Sequence, residues 1–172
     1  MYHPTAALLV VAALSAAASQ RLGAQASLAS QKAFTPIERI NAIEKTREVL
    51  EAYWQKHDPK FVAPDAVFIM MPTGEEIKGR DAIAKHLDEF YHKQFDAHAE
   101  VVSSVFGENK GLLEAVVVGK HTGEFAGIAA TGRDIRVPLS VSYELQNGLI
   151  TKARIYLMAN VLFAQISPPP AR

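Results

Sequence analysis

No cysteine occurs anywhere in the 172 residues. That excludes disulfides, thiolate nucleophiles and cysteine-ligated metals, and it leaves the redox compartment open. Charge of one sign is not in excess either. Eighteen Lys and Arg balance eighteen Asp and Glu, and the basic residues form no cluster, so neither nucleic acid nor an anionic membrane is favoured as a partner. The uncharged N-terminal stretch Ala6 to Ala18 falls short of the roughly 20 apolar residues that a bilayer-spanning helix needs. With Ala24-Gln25-Ala26 behind it, that stretch reads instead as a secretory signal peptide, the rivals being a mis-called start codon or an uncleaved apolar anchor. Residues 1–26 are thus expected to be removed and 27–35 to form a mobile segment. The mature protein is expected to be secreted or periplasmic, otherwise cytoplasmic, and free of the membrane after cleavage.

What is present organises the rest of the chain. Thr35-Pro36-Ile37-Glu38 combines a capping threonine, a proline at the first helical position and a following glutamate. Ile37, Ile40, Ile43, Leu50, Tyr53 and Trp54 then mark one face of a helix running to about His57, which Asp58-Pro59 ends. Residues 66–71 read as a strand closed by Pro72-Thr73-Gly74, and Gly79-Arg80-Asp81 leads into a second helix with Ile83, Leu87, Phe90 and Tyr91 on one face. From Ala97 the pattern turns to strand, over about 97–106, 112–124, 135–146 and 149–159. A five-residue loop, 107–111, joins the first pair, and Asn147-Gly148 predicts a tight hairpin between the last. Helices followed by a meander of long antiparallel strands predict an α+β fold whose sheet curves round the helices and leaves a cleft. Pro168-Pro169-Pro170 belongs to a frayed tail, 167–172.

Gly119 to Arg133, GKHTGEFAGIAATGR, carries the most specific pattern in the chain. His121, Thr122, Gly123, Phe125, Gly127, Thr131, Gly132 and Arg133, together with Arg154-Ile155-Tyr156, resemble the SnoaL-like polyketide cyclase family of the nuclear transport factor 2-like superfamily. The resemblance extends more loosely over 36–166, through Ile77 to Ile83 and Phe95-Asp96. It implies a cone-shaped curved antiparallel sheet wrapped on N-terminal helices; a homodimer through the outer sheet is a separate expectation. It also implies a small hydrophobic carbonyl compound in the cleft and ring closure by intramolecular aldol condensation without metal or organic cofactor. In the family a catalytic aspartate stands two residues after the tyrosine of Arg-x-Tyr. Here that position is Met158, which has no proton to exchange.

A two-residue turn at 147–148 sets Gln146 opposite Leu149, so Arg154 would face Val141, Tyr156 Leu139 and Met158 Val137. Alternation then puts Arg154, Tyr156 and Met158 on one face with Tyr143, and Ser142 and Glu144 on the other. By the resemblance, the first of these faces lines the cleft. The expected pocket is therefore Tyr53, Trp54, Tyr143, Arg154, Tyr156 and Met158. A guanidinium on an apolar wall needs a protein carboxylate or a ligand oxygen as partner. His121 is the candidate acid/base residue, its alternative being a structural part of its motif. His86, His92 and His98, six apart, share no helix face and predict no metal site. Two function classes stand: a cofactor-independent cyclase or isomerase, and a non-catalytic protein binding a small hydrophobic carbonyl-bearing molecule. Met158 favours the second.

Overall fold

The computed structural model describes residues 35–167. The expected signal peptide, the segment before Thr35 and the prolines of the tail lie outside them. The chain divides between Ile37 and Glu38 into two units, and the architecture below is that of the second.

Helix α1, Pro36–Lys56, begins at the expected proline. Only its C-terminal half meets the sheet, through Thr46, Val49, Leu50 and Tyr53. Ile40, expected on the buried face, is instead 60% exposed, and Ile37 is exposed as well. His57 ends the helix in a left-handed conformation with φ 49°, its N–H bonded to the Tyr53 carbonyl at 2.7 Å. A single 3₁₀ turn, Pro59–Phe61, capped by the Asp58 carboxylate, delivers the chain into β1, Val62–Met70. A short strand not expected from the sequence, β2 at Glu75–Lys78, folds back on β1. Helix α2, Arg80–Asp88, continues directly into a wider π turn, Glu89–Gln94.

Four long strands follow: β3 Phe95–Gly107, β4 Lys110–His121, β5 Asp134–Gln146 and β6 Leu149–Leu157. A last helix, α3 at Ala159–Ile166, was not anticipated. The strands form one curved sheet in the order β2-β1-β6-β5-β4-β3. All its pairings are antiparallel except β1 with β6. The α+β architecture is the expected one. The expected five-residue loop is a two-residue turn, because Gly107 pairs with Lys110 and Asn109 takes φ 57°. Thr46 ties that turn to α1: its hydroxyl donates to the Ala42 carbonyl at 2.9 Å and accepts the Asn109 N–H at 3.1 Å.

At the other hairpin both turn residues have positive φ, 53° at Asn147 and 76° at Gly148. Gln146 does face Leu149, and Leu145 faces Ile150. Thr151 then bulges, and the pairing resumes one residue later, with Ser142 opposite Arg154, Ser140 opposite Tyr156 and Leu139 opposite Leu157. A slip of one residue carries every later side chain to the other face. The expected orientation of Arg154 and Tyr156 is therefore reversed. Ile155 and Leu157 turn inward in their place, beside the buried odd-numbered residues of β5 from Ile135 to Leu145.

Candidate functional site

The core between helices and sheet is not filled to the end. A cavity of about 70 Å³ remains among aromatic and aliphatic side chains of α1, β1, α2, the π turn and the inner face of the sheet. That is room for about half a dozen water-sized groups. Trp54, His57, Tyr91, Ala99 and Val101 line both this cavity and an open groove of about 760 Å³, so they form the boundary between the two. No Asp or Glu lines the cavity, whereas Lys56, Glu51, His92 and His98 stand along the groove.

The polar character of the cavity comes from the rings of Tyr53, Trp54, His57, His86, Tyr91 and Tyr143. Tyr53 is 1% exposed and its ring meets Tyr143 edge-on at 6.3 Å. Trp54 stacks on Phe106 at 5.8 Å. The Tyr53 hydroxyl and the Trp54 indole N–H are both buried without a hydrogen-bond partner. The Trp54 N–H lies close enough to the Tyr143 hydroxyl to oppose the rise of its pKa, yet it makes no hydrogen bond of normal geometry there. Burial raises the Tyr53 and Tyr143 hydroxyls well above their ordinary value and pushes Tyr91 up to about 12. His57 lies edge-on to Tyr53 at 5.4 Å and stacked on Tyr91 at 5.0 Å. Burial, helped by His92, holds its pKa at about 4. At pH 7 the three tyrosines and His57 are therefore uncharged.

The expected pocket residues divide. Tyr53, Trp54 and Tyr143 line the cavity; Arg154, Tyr156 and Met158 do not. The Thr151 bulge puts Arg154 beside Glu144 on the outer face, where the two groups bond at 2.6 Å with about a third of each exposed. The partner of the guanidinium is thus a protein carboxylate, and the Arg154 hydrogen bond holds the Glu144 carboxyl below its ordinary pKa. The stabilisation from this pair is present at neutral pH and is lost as acid protonates Glu144. Arg154→Met should lower stability by no more than about 1 kcal/mol, as for other exposed pairs, in a thermal or urea melt. Tyr156 is 48% exposed and Met158, at the start of α3, 45% exposed.

His121 is 0% exposed and also lies outside the cavity lining. Its Nδ1 accepts the Thr131 N–H at 3.3 Å and sits 3.0 Å from the Thr131 hydroxyl. That acceptor role places the ring proton on Nε2, which is buried without a partner against the Phe95 ring. His121 and Thr131 together close the base of the 122–133 loop, whose Phe125 packs on Phe90, Phe95 and Phe163. Arg133 anchors the loop to the end of α3 by donating to the Gln165 and Ser167 carbonyls. Of the three six-spaced histidines, His86 reaches the cavity and the other two reach the groove. Among the described residues no three His, Asp or Glu stand together as a metal site. Sequence reasoning missed His57 altogether. Its signal was its place directly after the last helical turn, one turn beyond Tyr53 and beside Trp54.

The sequence model of the SnoaL-like polyketide cyclase family matches residues 41–166. Solved structures with the same fold include a protein from Jannaschia sp. CCS1 assigned as a SnoaL-like polyketide cyclase. It is 15% identical, with TM-score 0.69, over 81% of this chain and 99% of that one. One from Xanthomonas campestris pv. campestris, assigned as a polyketide cyclase, is 20% identical with TM-score 0.66, over 73% and 99%. AclR from Streptomyces galilaeus, assigned as a hydroxylase, is 22% identical with TM-score 0.62, over 76% and 85%. At these identities the likeness is one of fold. No curated protein matches the chain.

Proposed function

Because the chain belongs to the SnoaL-like polyketide cyclase family, we propose that its cavity binds a small, neutral, apolar molecule bearing a carbonyl oxygen. One observation carries this reading: two hydrogen-bond donors, the Tyr53 hydroxyl and the Trp54 N–H, are buried at a largely apolar cavity without a hydrogen bond of normal geometry. An unsatisfied buried donor costs about 1–3 kcal/mol, and a ligand acceptor would recover that cost. The cavity's size supports a ligand of a few heavy atoms. Aldol chemistry of the family's kind needs a carboxyl acid/base, and neither Met158 nor any carboxylate stands at the cavity. Binding is therefore favoured over polyketide cyclisation. A cofactor-free isomerase or cyclase acting on a small carbonyl compound is the second reading, supported by the histidines at the cavity.

Trp54 is the sole tryptophan and lines the cavity and the adjoining groove, so its fluorescence reports on a ligand at either. Titration with cyclopentanone should shift that emission saturably. Tyr53→Phe should leave the free protein as stable as before or more so, since it removes an unbonded hydroxyl, and should weaken cyclopentanone about tenfold, the loss of one hydrogen bond of about 1.4 kcal/mol. Unchanged affinity together with a destabilised free protein would show that the hydroxyl serves the fold and would overturn the reading.

Export and self-association belong to the same proposal. They are supported by the Ala6–Ala18 run with its small-x-small site, and by Val105, Leu112 and Tyr156 exposed on the sheet. Native mass spectrometry of protein recovered outside a producing host should find a chain starting near Ser27 at twice its single mass. An intact chain starting at Met1, retained in the cytosol, would refute export; a single mass would refute the dimer.

A further inference from the structure

Resting on the binding reading above, we infer that His57 is the cavity's proton-transfer residue, moving a proton on and off the carbon next to the carbonyl of a bound neutral ketone. Three observations meet at this residue. It lines both the cavity and the open groove, so one imidazole ring borders the ligand's space and the solvent-filled groove. It shares the cavity with the two unbonded donors, the Tyr53 hydroxyl and the Trp54 N–H, which suit the oxygen of a carbonyl and would hold it more strongly once it became an oxyanion. It also ends α1 at φ 49°, a conformation for which glycine would be the unstrained choice. In place of glycine the chain spends a side chain there, held between the Tyr53 and Tyr91 rings.

The chemistry balances without a co-reactant. A neutral imidazole nitrogen takes the proton from the α-carbon. The C–H electrons form the carbon–carbon double bond, and the carbonyl π electrons move to the oxygen, where the two donors meet the charge. Return of the proton to carbon restores the ketone and the free imidazole. Burial keeps the ring the free base at pH 7 but also weakens it as a base, so the assignment stands on its position and not on its pKa. General base catalysis by a positioned group is worth typically 10²–10⁴-fold. No carboxylate competes for the role in the cavity. His86 also lines it, so it must be separated from His57 by experiment.

Deuterium exchange at the α-carbon reads this step directly. The full chain would be incubated with cyclopentanone in D₂O at neutral pD, and loss of the α-proton signal followed by NMR. Trp54 fluorescence of the same samples would measure binding. The variant is His57→Asn, because asparagine accepts the left-handed φ better than most residues and cannot act as a base; His57→Gly, which fits the turn without strain, replaces it if that protein fails to fold. The wild-type protein should speed exchange above buffer, and His57→Asn should lose at least about a hundredfold of that acceleration, more than His86→Asn loses. If cyclopentanone binds but the protein exchanges it no faster than buffer, or if His57→Asn exchanges as fast as wild type, the assignment falls while the binding reading stands. If Trp54 emission never responds, both fall.

Discussion

Replacing Phe95 by alanine is expected to cost about 3–5 kcal/mol, the range for truncating a buried aromatic side chain. Phe95 is fully buried and packs at once on Phe90 from the π turn at 5.0 Å, on His121 at 5.1 Å and on Phe125 at 5.2 Å. Its removal therefore loosens three elements together: the turn that carries Tyr91 to the cavity, the end of β4, and the loop closed by His121 and Thr131. In a domain of this size about 1 kcal/mol corresponds to 2–4 °C in Tm, so the melt should move down by roughly 10 °C. A shift of only a degree or two would mean that the aromatic cluster closes over the gap and that the loop is held from elsewhere, by Arg133 on the α3 carbonyls. Ligand binding measured below the new melting point should be weakened as well, because Phe90 and Tyr91 both line the cavity.

Gly119→Ala is expected to be among the most damaging of the single-methyl changes, with Gly123→Ala. A Cβ at that position would lie 2.2 Å from the Asp96 carbonyl oxygen and 2.5 Å from the Ala97 Cα. Both are backbone atoms of β3, paired with β4 at this point, and neither can swing aside as a long side chain would. The two strands would have to part where Ala97 faces Gly119, breaking their ladder beside Phe95. Overpacking of this kind costs about 1–3 kcal/mol in ordinary cores, and here the upper end or beyond is expected, since backbone must yield. A urea midpoint unchanged from wild type would show that β3 can shift outward without loss. Gly148, by contrast, has open space around it and is needed only for its turn conformation.

How much of this could be read from residues alone differs from element to element, for physical reasons. Local signals were reliable. Proline at the start of α1, Asp58-Pro59 after it and Asn147-Gly148 act through the steric limits of a few adjacent torsions, so they appear in the sequence and recur in the fold. The motif from His121 to Arg133 was legible as a resemblance and carried the family, while the α+β class came separately from helix and strand periodicity. The register of β6 was not read correctly, although a trace of it was present. Lys152, Arg154 and Tyr156 alternate with Ala153, Ile155 and Leu157, and Ile150 is out of phase with that alternation. Counting evenly from the turn hid the bulge at Thr151, and with it three of the six expected pocket residues.

The sequence by itself determined the class of fold, the hairpin that pins β5 to β6, and the aromatic residues of α1 that reach the cavity. Each of these depends on short-range periodicity or on backbone torsions, quantities that neighbouring residues set among themselves. Only the tertiary structure decided which face of β6 is inside, that Arg154 is matched to Glu144, and that His57 stands between cavity and groove. These are outcomes of long-range packing. One extra residue in a strand reverses a face, and a histidine just past a helix becomes a cavity wall only when a π turn far along the chain brings Tyr91 against it.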